Sequence, residues 1–153
     1  MKTYGIRISD GKGDVLSVTL SDILKGIDRD PSFRWCILFL DGTPQPGKGQ
    51  FLTEYENKIN DSKNGLLISW EDLNDLSEKF FQMFEIIVLG CKDISLLHRY
   101  EEEKEMHKMC DIVIQLIDCA FWEVYTKEIK IVEKLKKTFK EVEFLDSNLN
   151  FST

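Results

Sequence analysis

The chain has 153 residues, 42% hydrophobic and 31% charged, the composition of a folded globular protein; at this length roughly two-thirds of the unfolded surface can be buried without a disulfide or metal staple. Twenty-seven acidic against 20 basic side chains give a formal charge of −7, a field that repels nucleic acid and acidic membrane surfaces and speeds encounter with basic proteins. Cys36, Cys91, Cys110 and Cys119 form no C-x-x-C pair, the first residues hold no apolar leader, and no apolar run is long enough to span a bilayer, so a reducing cytoplasm is the expected setting.

Tyr4, Ile6 and Ile8 alternate with Gly5, Arg7 and Ser9, the period of a half-buried strand. Val15 to Val18 reads as a second short strand, and Ser21 as the N-cap of a brief helix through Ile23, Leu24 and Ile27 that ends near Gly26. Trp35 to Leu40 is apolar on both faces and stops at Asp41-Gly42, which predicts a central strand. Residues 41–65 form a long polar excursion with room for one short helix or strand, opened by Pro44, Pro46, Gly47 and Gly49.

Leu66 to Ile68 reads as a short strand, and Ser69 with Asp72 as a capping start for a helix carrying Leu73, Leu76, Phe80, Met83 and Phe84 on one face. Glu85 to Leu89 follows as a buried strand, a strand-helix-strand order that permits a parallel crossover. Residues 93–109 are polar and helix-like, and they read as a helix, a helix pair or a flexible excursion. Ile112 to Ile117 and Phe121 to Tyr125 predict a β-hairpin, Thr126 a cap for a lysine-rich helix, and Val142 with Phe144 a closing strand. The expected architecture is α+β: one domain over 1–146, a single mixed sheet of five to seven strands with three or four helices packed on it, and a frayed tail at 147–153.

No chemical motif stands out. His98, His107 and Cys110 are the nearest approach to metal ligands, but the histidines are nine apart and do not share a helical face. Gly47 and Gly49 lack the Lys-Ser or Lys-Thr pair of a phosphate loop and no helix clearly follows them. The helix from Lys127 to Lys140 has six lysines and two glutamates, yet they surround a complete apolar stripe, as on any solvated amphipathic helix. No catalytic residue, metal or cofactor is assigned, and nucleic acid and membrane are not expected partners.

The runs Leu67-Ile68-Ser69-Trp70-Glu71-Asp72-Leu73, Ile86-Ile87-Val88-Leu89-Gly90 and Phe121-Trp122-Glu123-Val124-Tyr125-Thr126-Lys127 resemble features of small bacterial proteins in uncharacterised families. Some similar families act as immunity proteins, which block a toxin made by the same or a neighbouring cell. The resemblance covers about half the chain and carries no catalytic assignments. The leading expectation is a non-enzymatic, acidic protein-binding module, of the immunity-inhibitor type, that takes a basic toxin-like partner. Its binding surface is expected from Asp41, Glu54, Glu56, Glu101, Glu102, Glu103 and Glu105, with Phe51, Tyr55 and Tyr100 as aromatic anchors. One alternative is a small enzyme or ligand-binding protein with a pocket at the strand ends Asp41, Cys91 and Asp118; another is a self-associating subunit, a homo-oligomer paired through the hairpin at Phe121 and Trp122.

Overall fold

A computed structural model describes residues 2–9 and 16–145. Seven strands form one sheet: β1 (Tyr4–Ser9), β2 (Arg34–Pro44), β3 (Leu66–Ile68), β4 (Phe80–Cys91), β5 (Ile112–Ile117), β6 (Phe121–Thr126) and β7 (Glu141–Leu145). They lie in the order β3-β2-β4-β5-β6-β1-β7, and every hydrogen-bonded pairing is antiparallel. Because β3 and β4 both run antiparallel to β2, they share a direction. The strand-helix-strand unit is therefore a split crossover with β2 inserted between its strands.

Among the described residues five α-helices accompany the sheet: α1 (Leu20–Ile27), α2 (Gly49–Asp61), α3 (Trp70–Ser77), α4 (Glu103–Met109) and α5 (Ile129–Thr138). Both polar excursions carry one, which takes the number past the expected three or four. α2, starting at Gly49, takes up the room for one helix or strand expected within 41–65. The cap of α1 is Thr19 rather than Ser21: its hydroxyl accepts from the Asp22 amide while the Asp22 carboxylate accepts from the Thr19 amide. Leu16 to Thr19 join no strand, so the expected second strand is absent there; residues 10–15 and the tail 146–153 lie outside the described residues. Ser69 caps α3 as expected, accepting from Asp72 N at 3.0 Å.

α3 stops at Ser77, and Phe80, Met83 and Phe84 belong to β4 instead of the helix their spacing predicts. The reason is tertiary. The run from Phe80 to Leu89 is rich in aromatic and β-branched residues, and pairing with β2 extends back to Pro44 opposite Phe80. α5 starts at Ile129, with Thr126 still in β6; the Thr126 hydroxyl accepts from the Glu128 amide across the turn. Gly65, at φ +91°, turns the chain from α2 into β3, where a Cβ would come within 2.6 Å of the Cys36 sulfur.

Both faces of the sheet are covered, which explains why β2 reads as continuously apolar. On the first face Ile6, Ile37, Val88, Ile114 and Trp122 lie beneath Ile23 and Leu24 of α1, Leu73 and Leu76 of α3, and Val132 and Leu135 of α5. On the second, Cys36, Leu89, Val113 and Tyr125 are covered by Leu97, Met106 and Cys110 from the segment between β4 and β5. No helix among the described residues is long and apolar enough to cross a membrane.

Candidate functional site

The second face holds an unusual polar row. Strand register places Ile87, Gln115, Glu123 and Arg7 side by side across β4, β5, β6 and β1. Gln115 and Glu123 are buried, and so is His107, which α4 lowers onto them. His107 Nε2 lies 2.5 Å from Gln115 Oε1, and Gln115 Nε2 donates in turn to Glu103 Oε1 at 3.3 Å. Glu123 accepts from Arg7 Nε at 3.1 Å and Nη2 at 2.7 Å through one oxygen, and from the Tyr125 hydroxyl at 2.6 Å through the other. The Arg7 guanidinium also covers the Phe121 ring at 4.0 Å.

Burial holds His107 below the ordinary imidazole range, although Gln115 and the Glu103 and Glu123 carboxylates pull the other way. Burial, then the bond to Glu123, pushes the Tyr125 phenol upward. A histidine, a glutamate and a tyrosine together resemble acid-base machinery, but their polar groups are engaged with one another and the imidazole is covered. The network works as a clasp that fixes α4 and Glu103 on the sheet.

Beside the clasp, where the covering segment ends, an open cleft of about 440 Å³ is lined by Leu38, Phe39, Glu85, Ile87, Arg99, Tyr100, Glu101, Glu103 and Met106. A register shift between Ile37 and Phe39 puts Phe39 opposite Ile87, on the second face, where it is 40% exposed. Arg99 does not ion-pair with the cleft's carboxylates. Its guanidinium donates to the carbonyls of Leu38 at 2.6 Å, Ile59 at 2.8 Å and Ser62 at 3.4 Å, tying the cleft wall to β2 and the end of α2.

The lip of the cleft is acidic. Asp41 stands directly opposite Glu85 across β2 and β4. The Glu85 carboxyl is raised, first by its hydrogen bond with Asp118, then by partial desolvation and the Asp118 and Asp41 charges. Glu56 is raised by burial and by Asp41. Carboxylates from β2, α2, β4 and the β5–β6 turn thus gather at one end of the sheet.

The expected surface residues divide accordingly. Tyr100, Glu101 and Glu103 line the cleft, and Asp41 and Glu56 reach its lip. Tyr100 is half-buried, its hydroxyl donating to Leu96 O at 2.7 Å. Glu102 precedes α4 and Glu105 is exposed in its first turn. Glu54 is exposed on α2, where it accepts from Gln50. Phe51 and Tyr55 meet in a tilted pair, ring centroids 5.0 Å apart, and pack, half-buried, against the first-face core, away from the cleft. Phe39, Glu85, Ile87 and Arg99 were not legible in the sequence: Phe39 looked like core, Glu85 and Ile87 are placed by strand pairing, and Arg99 by its bonds to the Leu38, Ile59 and Ser62 carbonyls.

The pocket expected from Asp41, Cys91 and Asp118 does not assemble. Asp41 and Asp118 meet at Glu85, whereas Cys91 is buried at the other end of β4, opposite Arg34. Nor does the hairpin present an apolar patch: Trp122 is buried with Nε1 donating to Val18 O at 2.8 Å, and Phe121 is roofed by Arg7. His98, His107 and Cys110 have separate surroundings. His98 stacks on Tyr100, His107 on Tyr125, and Cys110 faces Leu96 O and the Tyr100 hydroxyl; no metal-holding group of three was found among the described residues.

Comparison with known proteins returned no match. No family model fits the chain, and no curated protein or solved structure is significantly similar to it.

Proposed function

We propose that this chain is a non-enzymatic protein-binding module that uses the second-face cleft to hold a basic protein. The observation that carries the reading is the pairing of an apolar floor, exposed Phe39 beside half-buried Ile87, with a rim of Glu85, Glu101 and Glu103 whose neighbouring arginine is spent on backbone carbonyls. Such a surface suits a lysine or arginine whose aliphatic stem covers the aromatic ring while its charge meets the carboxylates. The clasp beneath it holds Glu103 in place, so that side chain has little ordering left to do on binding.

The finer reading is an immunity-type inhibitor of a basic toxin, and it rests on the resemblance noted above together with this charge pattern. The test is capture from native lysate at low and physiological salt, in parallel with an E85K/E101K variant. Support is one stoichiometric, salt-sensitive basic protein held by the parent and lost by the variant. Equal capture by both, or no capture by either, rejects the cleft as the docking surface.

A further inference from the structure

A second cleft, of about 360 Å³, opens at the corner of the sheet beside β3. β3 pairs with β2 only as far as Ile68 opposite Trp35, and the chain then turns at Ser69 into α3, so the outer edge of β2 before Trp35 has no strand beside it. Phe33, Trp35 and Trp70 wall this gap. Trp35 is 3% exposed, and its Nε1 is buried without a hydrogen-bond partner. The direction of that N–H follows from Gly90: a Cβ there would sit 2.8 Å from Trp35 Cζ3 and 3.0 Å from Cε3, so the benzo edge packs over β4. Nε1 lies on the opposite edge of the indole, away from β4, in a side chain that lines the cleft.

The charges at the rim are unevenly satisfied. Asp30 accepts from the Ser32 amide and hydroxyl, and Glu71 pairs with Arg29 at 2.7 Å. Arg34 is exposed and has no ion pair among the described residues, and Lys92 Nζ stands 5.9 Å from the Phe33 ring centroid. Arg29 and Arg34 thus balance Asp30 and Glu71 in the lining, and Lys92 adds one positive charge beside it. An unpaired buried N–H is costly, and a ligand that brings an acceptor recovers that cost.

We propose that this corner cleft binds a planar aromatic carboxylate, its ring lying against Trp70 and its carboxylate accepting from Trp35 Nε1 within the field of Arg34 and Lys92. The Trp70 ring, centred 5.2 Å from that of Trp35 and tilted 42° to it, is the side chain that must move for the carboxylate to enter. It is half-buried in the first turn of α3, beside the opening.

The experiment is a titration of the isotope-labelled full chain with naphthoate, following the three tryptophan indole N–H resonances. Trp122, bonded to Val18 O, serves as the internal reference. The expected result is a saturable downfield shift of the Trp35 signal with Trp122 unmoved; naphthoate affinity, followed on the Trp70 signal that each variant keeps, falls about tenfold in W35F, the value of one lost hydrogen bond, and falls likewise in direction in R34Q. A Trp35 signal that stays still at millimolar naphthoate overturns the proposal, and this includes the case in which the N–H already donates to the face of the Trp70 ring. Full affinity in R34Q overturns it as well, and that variant decides the matter should W35F fail to fold.

Discussion

The imidazole of His107 lies flat on the phenol of Tyr125, the ring centroids 3.6 Å apart and the planes 11° from parallel. This stack couples a short helix to the middle of the sheet and buries a titratable ring. The folded-state pKa of His107 is held below its ordinary 6.5 by that burial. As pH falls the unfolded chain takes up the proton first, so the contribution to stability is complete above 6.5, is lost below it, and levels off beneath the folded-state value. Urea midpoints measured from about pH 8 to about pH 5 should therefore fall more steeply for the parent than for H107F. Parallel curves would mean that the imidazole titrates as freely in the folded chain as in the unfolded one.

Arg7 is the cation that answers the buried Glu123. An R7M change removes the guanidinium from Glu123 and from the Phe121 ring and leaves the carboxylate with the Tyr125 hydroxyl as a side-chain donor. Because Arg7 is itself partly exposed, the expected loss is about 2 kcal/mol, below the range for a fully buried pair. Adding E123Q should recover part of it, and a double-mutant cycle by chemical denaturation measures the coupling.

Gly90 has no room for a side chain. A Cβ would meet Ile112 Cγ2 at 2.6 Å and the Trp35 ring at 2.8 Å, so G90A should cost about 1–3 kcal/mol through overpacking. Thermal unfolding checks the loss, and near-ultraviolet circular dichroism should report the displaced indole. An unchanged spectrum with full stability would place the Trp35 ring elsewhere.

The four thiols should differ in reactivity for steric rather than acid-base reasons. Cys36, Cys91 and Cys110 are buried, and Cys119 is partly exposed in the β5–β6 turn. Burial pushes Cys36 up to about 11, and a bond from Cys110 lowers Cys91 while raising Cys110. Cys119 is also raised, by partial burial and by the Asp118, Asp41 and Glu85 charges. A thiol reagent should modify Cys119 first, slowly for an accessible cysteine, and the other three only on unfolding. Mass mapping of the first labelled peptide tests this, and early labelling at Cys91 would contradict it.

Much of the fold was legible because local and tertiary preferences agree. The alternation at Ile6 and Ile8, the two-faced apolar run at Trp35 to Leu40 and the hairpin at Asp118 to Ala120 all match the structure. Phe80, Met83 and Phe84 misled because their spacing fits a helix, while the strand they form is specified by β2, distant in sequence. The cleft was half visible. Tyr100, Glu101 and Glu103 are adjacent in the chain and acidic, but Glu85 opposite Asp41 and the bulge that exposes Phe39 are products of pairing. Phe51 and Tyr55 looked like anchors because their four-residue spacing does not reveal which way their helix faces.

The position of β1 has a consequence for how the protein comes into being. It lies between β6 and β7, so the earliest of these strands to be synthesised finds its partners only after most of the chain has been made. Until then Ile6 and Ile8 have no sheet to enter, and the exposed edge of β6 waits for them. The β1 pairings with β6 and β7 thus close over a long sequence separation, the kind of contact that forms slowly.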